Sequence, residues 1–229
     1  MSYGRRVFMV TAARDAAAQT EGRTRTMTRF KLTYFDIDGG RGEPIRLALH
    51  IGGIDFEDIR LKGPEFREVQ QGFRFHALPV LEIDGQQITQ SDALLRYMGK
   101  LVGLYPADDL QALYCDEAMG AVDDVGNAIG KTFGLEGDAM KRAREELVAG
   151  RFVTYLRGLE GLLARGGGQF FADSRLTIAD LKVFVQTRSL AKGVLDHVPT
   201  DVVENLAPAL AAHRERIAND PGVVAYYAR

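Results

Sequence analysis

The chain contains a single cysteine, Cys115, in 229 residues. One thiol excludes an internal disulfide framework and a CxxC dithiol motif and suits a reducing compartment, so any thiol chemistry must use a partner molecule's sulfur. Net charge is also small, at −2, and no long basic block interrupts the sequence. That argues against nucleic acid as the main partner, because phosphate binding needs clustered Lys and Arg. No apolar run approaches the ~18 residues of a membrane span, so no membrane partner is expected. The four histidines, His50, His76, His197 and His213, lack ligand spacing such as HExxH, and no metal is predicted. What is present is ordinary for a soluble cytoplasmic protein: 46% hydrophobic and 26% charged residues, enough for one large domain or two moderate ones.

The first 26 residues carry five arginines against one Asp and one Glu, with no sustained amphipathic pattern. Residues 1–27 are assigned as a disordered or mis-started leader, the alternative being an organelle transit segment. From Phe30 the run FKLTYFD reads as a strand, and GRGEPIRLALHIGG as a buried helix ending at its glycines. DFEDIRL alternates like a second strand, GPEFREVQQG suits one or two helical turns, and LPVLEIDGQQIT reads as two strands around a type I′ Asp84-Gly85 turn. SDALLRYMGKLVG then carries a helical stripe. The order βαβαββα predicts an α/β domain with a small mixed sheet over residues 28–103. A linker follows at 104–109. Residues 110–229 are predicted all-α, with KRAREELVAGRFVTYLRGLEGLLAR as one long amphipathic stretch and PALAAHRERIANDP as another.

Several residues ask for a role beyond packing. Tyr34 ends a strand just before Gly39, Gly40 and Gly42, a turn that lets the backbone approach a ligand closely, and then a helix start. Read alone, Tyr34 is either a core aromatic with a wet hydroxyl or a phenol presented to a ligand. Gln90 and Ser91 open a helix whose unpaired N–H groups suit a carboxylate, although Ser91 serves equally as an N-cap. Thr177 to Asp180, in LTIADL, forms a capping box and is read as structural.

LTYFD, RGEPIR, LPVLEIDG, QSDALLRY, LTIADL and NDPGVVAYYA, in that order and spacing over residues 30–229, resemble the cytosolic glutathione S-transferases of the tyrosine type, nearest the sigma, mu and pi classes. The resemblance implies a thioredoxin-like first domain, an all-helical second domain and a homodimer, acting on glutathione as co-substrate and a hydrophobic electrophile. It implies catalytic roles for Tyr34 and for Arg41, which stands one residue further from the tyrosine than in the sigma pattern. It also implies a cis Leu78-Pro79 bond exposing the Leu78 backbone to the cysteinyl part of glutathione, and a γ-glutamyl site at Gln90 and Ser91. Phe66 and Gln70 fall where sigma members have a tryptophan and a lysine near the glycine carboxylate, leaving Arg67 or Arg74 as substitutes. Asp123 or Asp124 matches an acid that reaches across the dimer, and Phe75 an aromatic lodged in the partner. The acceptor pocket is expected around Ile37, the helix from Tyr114 to Asn127, and Tyr226 and Tyr227. A glutathione-binding protein without turnover and a sigma-like isomerase are the competing functions.

Overall fold

The structure, a computed structural model, describes residues 28–229, so the leader assigned to residues 1–27 lies outside the described residues. Four strands, β1 (Phe30–Phe35), β2 (Phe56–Leu61), β3 (Val80–Ile83) and β4 (Gln86–Thr89), form one sheet in the order β2-β1-β3-β4. β1 pairs parallel with β2, with Tyr34 opposite Arg60, and antiparallel with β3, with Thr33 opposite Val80. A central strand is covered on both faces, which explains why Phe30, Leu32, Thr33 and Tyr34 are all buried. The β3–β4 hairpin turns at Asp84 and Gly85, both at positive φ, as a type I′ turn requires.

Three helices complete this unit: α1 (Glu43–Ile51), α2 (Gly63–Val69), followed by a 3₁₀ turn at Gln70–Gly72, and α3 (Ser91–Leu101). Pro44 lies in the first turn of α1, where its missing N–H costs nothing, and Ile45, Leu47, Ala48 and Leu49 bury one face. The second half is helical: α4 (Asp109–Gly130), α5 (Gly137–Ala149), α6 (Arg151–Arg165), α7 (Ile178–Ala191), α8 (Val202–Leu206), α9 (Pro208–Ala218) and α10 (Pro221–Tyr227). The single long helix expected over residues 141–165 is in fact two, because Gly150 leaves helical geometry at φ −119° and ψ −85°. Glycine is the weakest helix former after proline, and here it ends α5 and begins α6.

α7 is buried nearly all round and is the axis of the molecule. Its N-terminal capping box is formed: Asp180 accepts from the Thr177 N–H at 2.8 Å and from its hydroxyl at 2.7 Å. The other Asp180 oxygen accepts the Phe171 N–H at 3.1 Å and meets buried His213 Nε2 at 2.9 Å. His213 is therefore a packing residue that ties α9 to α7. One continuous core runs from the sheet into the helical half, and the Ile178 N–H donates to the Leu104 carbonyl across the junction.

Candidate active site

Tyr34 lies near the end of β1 with only 6% of its surface exposed. Its ring is accommodated by absent side chains: a Cβ on Gly42 would lie 2.4 Å from Tyr34 Cγ, and one on Gly40 2.6 Å from the phenolic oxygen. Real Cβ atoms do not approach so closely, so these glycines are required by the aromatic ring. The Arg41 backbone N–H donates to Tyr34 Oη at 2.9 Å. Burial raises the phenol above its ordinary pKa, opposed by that N–H and by the charges of Arg41 and Arg46. Tyr34 is thus a protonated donor at neutral pH. Arg46, fully buried, places its guanidinium 5.7 Å from the ring centroid and is itself held by Asp58 and Glu43.

Two cavities share a wall at Arg41, and Tyr34 lines the larger of them. The smaller, of 320 Å³, is lined by Leu78, Pro79, Gln90, Ser91, Phe75 and Thr89 among others. The larger, of 880 Å³, opens between the loop after β1, α4 and α7, and its wall includes Tyr34, Ile37, Val122, Ile129, Val185 and Leu195. Arg41, Asp123 and Asn127 line both. The Arg41 side chain donates to Asn127 Oδ1 at 2.7 Å and comes within 3.9 Å of Asp123. The extra residue between Tyr34 and Arg41 therefore does not remove the arginine from the site.

The Leu78-Pro79 bond is cis, and Pro79 immediately precedes β3. Leu78 enters no turn, loop or cap hydrogen bond among the described residues, which leaves its N–H and C=O free for a ligand. Ser91 is not an N-cap. Gln90 occupies that position at φ 73°, without a side-chain cap bond, and Ser91 is the first helical residue. A non-glycine residue held at positive φ is a strained position of the kind that clusters at ligand sites.

Other expected residues lie elsewhere. Phe66 packs edge-on against Phe35 and stacks on Phe73, while Gln70 Nε2 donates to the Arg67 carbonyl at 3.1 Å. Neither lines either of these two cavities. Asp124 accepts from the Tyr155 hydroxyl at 3.1 Å, on the exposed side of α4. Tyr226 and Tyr227 do not line the larger cavity either. They pack on each other, on His50 and on Phe184, with Arg188 4.0 Å from the Tyr227 ring centroid. Burial raises both phenols. α4 contributes from Val122 to Gly130, with Lys131 at its C-cap, further along than the Tyr114–Asn127 stretch expected.

Sequence reasoning missed two ionic features. Lys182, only 5% exposed, pairs with Asp123 at 2.9 Å and with Asp92 in the first turn of α3. Burial raises the Asp92 carboxyl, with Lys182 opposing. The signal was available, since a lysine within LKVFV breaks an otherwise apolar helical run. Asp38, in the loop after β1, is clamped by Arg188 at 2.6 and 3.1 Å and by Lys192. The Arg188 hydrogen bonds foremost, with those of Lys192, lower its pKa to about 2. No local pattern announces that contact across 150 residues.

The Glutathione S-transferase, N-terminal domain model matches residues 30–100, and the Glutathione S-transferase, C-terminal domain model matches residues 123–229. Glutathione S-transferase 1 of Ascaris suum is 35% identical over 170 residues, 72% of this chain and 80% of that protein. Glutathione S-transferase P 10 of Caenorhabditis elegans is 32% identical over 201 residues, 86% and 89% of the two chains. The solved structure of prostaglandin synthase D of Nilaparvata lugens superposes with a TM-score of 0.79 at 26% identity, covering 88% of this chain and 98% of that one. With the thioredoxin-like sheet followed by the helical half, and with relatives of this extent, the chain belongs to the glutathione S-transferase family.

Proposed function

We propose that this protein is a glutathione S-transferase that holds glutathione in the smaller cavity and an electrophile in the larger one. The observation that carries the reading is Tyr34, a buried, protonated phenol in the wall of the larger cavity, bonded to the N–H of Arg41, which lines both cavities. A free thiol has a pKa of ~8.5 and is only a few per cent thiolate at neutral pH. Lowering that pKa by about 2 units requires roughly 2.7 kcal/mol of preference for the charged form. One hydrogen bond to a charged acceptor contributes about 1.5 to 3 kcal/mol. Tyr34 acts as that donor and not as a base, since burial makes its own proton harder to remove. The Arg41 N–H occupies one lone pair of Oη and leaves the O–H free for the sulfur.

Leu78 pairs with the cysteinyl backbone strand to strand, and Gln90 with Ser91 takes the γ-glutamyl carboxylate at the positive end of α3. Phe66 and Gln70 have no direct contact in this reading. The thiolate forms a bond to the electrophilic carbon while the leaving group departs with its electron pair, or while a C=C pair shifts and takes a proton from water. Catalysis is activation plus proximity.

The reading includes detoxification in the cytoplasm and a two-fold homodimer. Phe75, Tyr97, Leu101, Leu110 and Leu113 expose large apolar side chains whose burial a second copy would provide, with Asp124 facing the partner's glutathione. Cys115 is buried and pushed up to about 12, which suits a thiol with no chemistry of its own. A second reading, isomerisation of an endoperoxide by the same thiolate, is favoured by the likeness to a prostaglandin synthase. Tyr34→Phe tests the primary reading: turnover should fall about a hundredfold while glutathione affinity, measured by isothermal titration, is nearly retained. A glutathione-binding protein without catalysis would show no turnover to lose.

A further inference from the structure

The charges in the larger cavity are unevenly paired. Four cations, Arg41, Lys131, Lys182 and Lys192, line it against two carboxylates, Asp38 and Asp123. Asp38 is shared by Lys192 and Arg188, and Asp123 by Lys182 and Arg41. Lys131 makes no ion pair with any described residue. Asp123 and Asn127 are four residues apart on α4, and Lys131, its C-cap, keeps helical φ −67° and ψ −15°, so the three continue one face at about 6 Å of rise per step. Arg41 reaches Asn127, which fixes the sulfur end of the cavity at that level. The Lys131 backbone therefore lies about one helical turn beyond Asn127 along the cavity wall. The same wall carries apolar Ile129, Phe133 and Leu195.

Resting on the transferase reading above, we infer that the larger cavity takes an amphipathic electrophile bearing a carboxylate, bound by Lys131, with an apolar body reaching back to the thiolate. A lysine at the C-terminal end of α4 also complements the helix dipole, but that role requires only a charge and not a place in the cavity wall. A cationic acceptor would meet uncompensated positive charge, and a neutral one would leave the ammonium unpaired. For an enone, the S–C bond forms at the β-carbon, the π pair moves onto the carbonyl as an enolate, and the α-carbon takes a proton from water. The carboxylate stays unchanged.

Ethacrynic acid, an aryloxyacetic acid carrying an enone, and its methyl ester share one reactive group and differ in charge. After subtraction of the uncatalysed rate, the acid should exceed the ester in kcat/KM by about fivefold in the full-length protein, the upper end of what a partly exposed ion pair contributes. Lys131→Ala should bring the ratio to about one and Lys131→Glu should invert it. The ratio should also fall as salt is raised, which a purely structural lysine would not produce. A ratio of one in the unaltered protein, or one that is the same in all three, overturns the inference. Neutral 1-chloro-2,4-dinitrobenzene separates the two failures: turnover of it with an acid-to-ester ratio of one leaves the transferase reading standing, whereas no turnover of any acceptor removes both.

Discussion

The two cavities that meet at Arg41, Asp123 and Asn127 are built from different materials. The smaller is framed by two special backbone conformations, the cis Leu78-Pro79 bond and Gln90 at positive φ before α3. The larger is made of side chains projected from the loop after β1, α4 and α7. Backbone geometry survives most substitutions, while a side-chain wall changes with each one. A family can therefore keep one peptide in the first site and vary the acceptor in the second, and this is why the chemistry here is more readable than the acceptor.

Substitutions on either side of the junction sharpen that contrast. Tyr34→Phe has the largest expected effect, about a hundredfold in kcat/KM with any acceptor, because it acts on the sulfur and not on either binding surface. Stopped-flow or steady-state conjugation assays with two unrelated acceptors would check it, and a loss confined to one acceptor would break the contrast. Ser91→Ala should raise KM for glutathione about tenfold, the equivalent of ~1.4 kcal/mol, with kcat held and no change in acceptor preference. Because Ser91 makes no cap bond, thermal stability should move little. The Lys131 series should shift only the acid-to-ester ratio, by about fivefold, leaving the affinity for glutathione where it was.

The smallest effect belongs to the Asp38 clamp. Arg188 and Lys192 hold that carboxyl at about 2, against ~3.9 in an unfolded chain. A carboxyl lowered by folding stabilises fully above its unfolded value, and the contribution is lost as pH falls from about 4 through 2. Asp38 is half exposed, so solvent screening limits the term to at most ~1 kcal/mol. Asp38→Asn should lower the melting temperature slightly at neutral pH and flatten its dependence on pH between 4 and 2, as followed by circular dichroism.

The same contrast explains what could be read from the sequence. The order of elements along the first domain, the type I′ turn at Asp84-Gly85 and the Thr177 to Asp180 capping box follow from periodicity and local hydrogen bonding, so they were legible. Tyr34 beside its glycines was legible as a candidate for the same reason. Gly150 was not, because a lone glycine within a helical pattern is tolerated as often as it breaks the helix, and only packing decides. Tyr226 and Tyr227 look like pocket residues in sequence, yet α10 turns them onto α1 and α7. The Asp38, Arg188 and Lys192 clamp and the Lys182, Asp92 and Asp123 cluster join residues 59 to 154 positions apart. Such contacts are made by tertiary packing, which no window along the chain contains.

The catalytic expectations depend on Tyr34, from the wall of the larger cavity, stabilising the negatively charged sulfur of glutathione held in the smaller one. The direct test is a pH titration of the thiol of enzyme-bound glutathione, followed by thiolate absorbance near 240 nm. The account predicts an apparent pKa of about 6.5, roughly 2 units below the free thiol, and its return toward ~8.5 in Tyr34→Phe. A bound thiol that ionises at the same pH as the free peptide would contradict it.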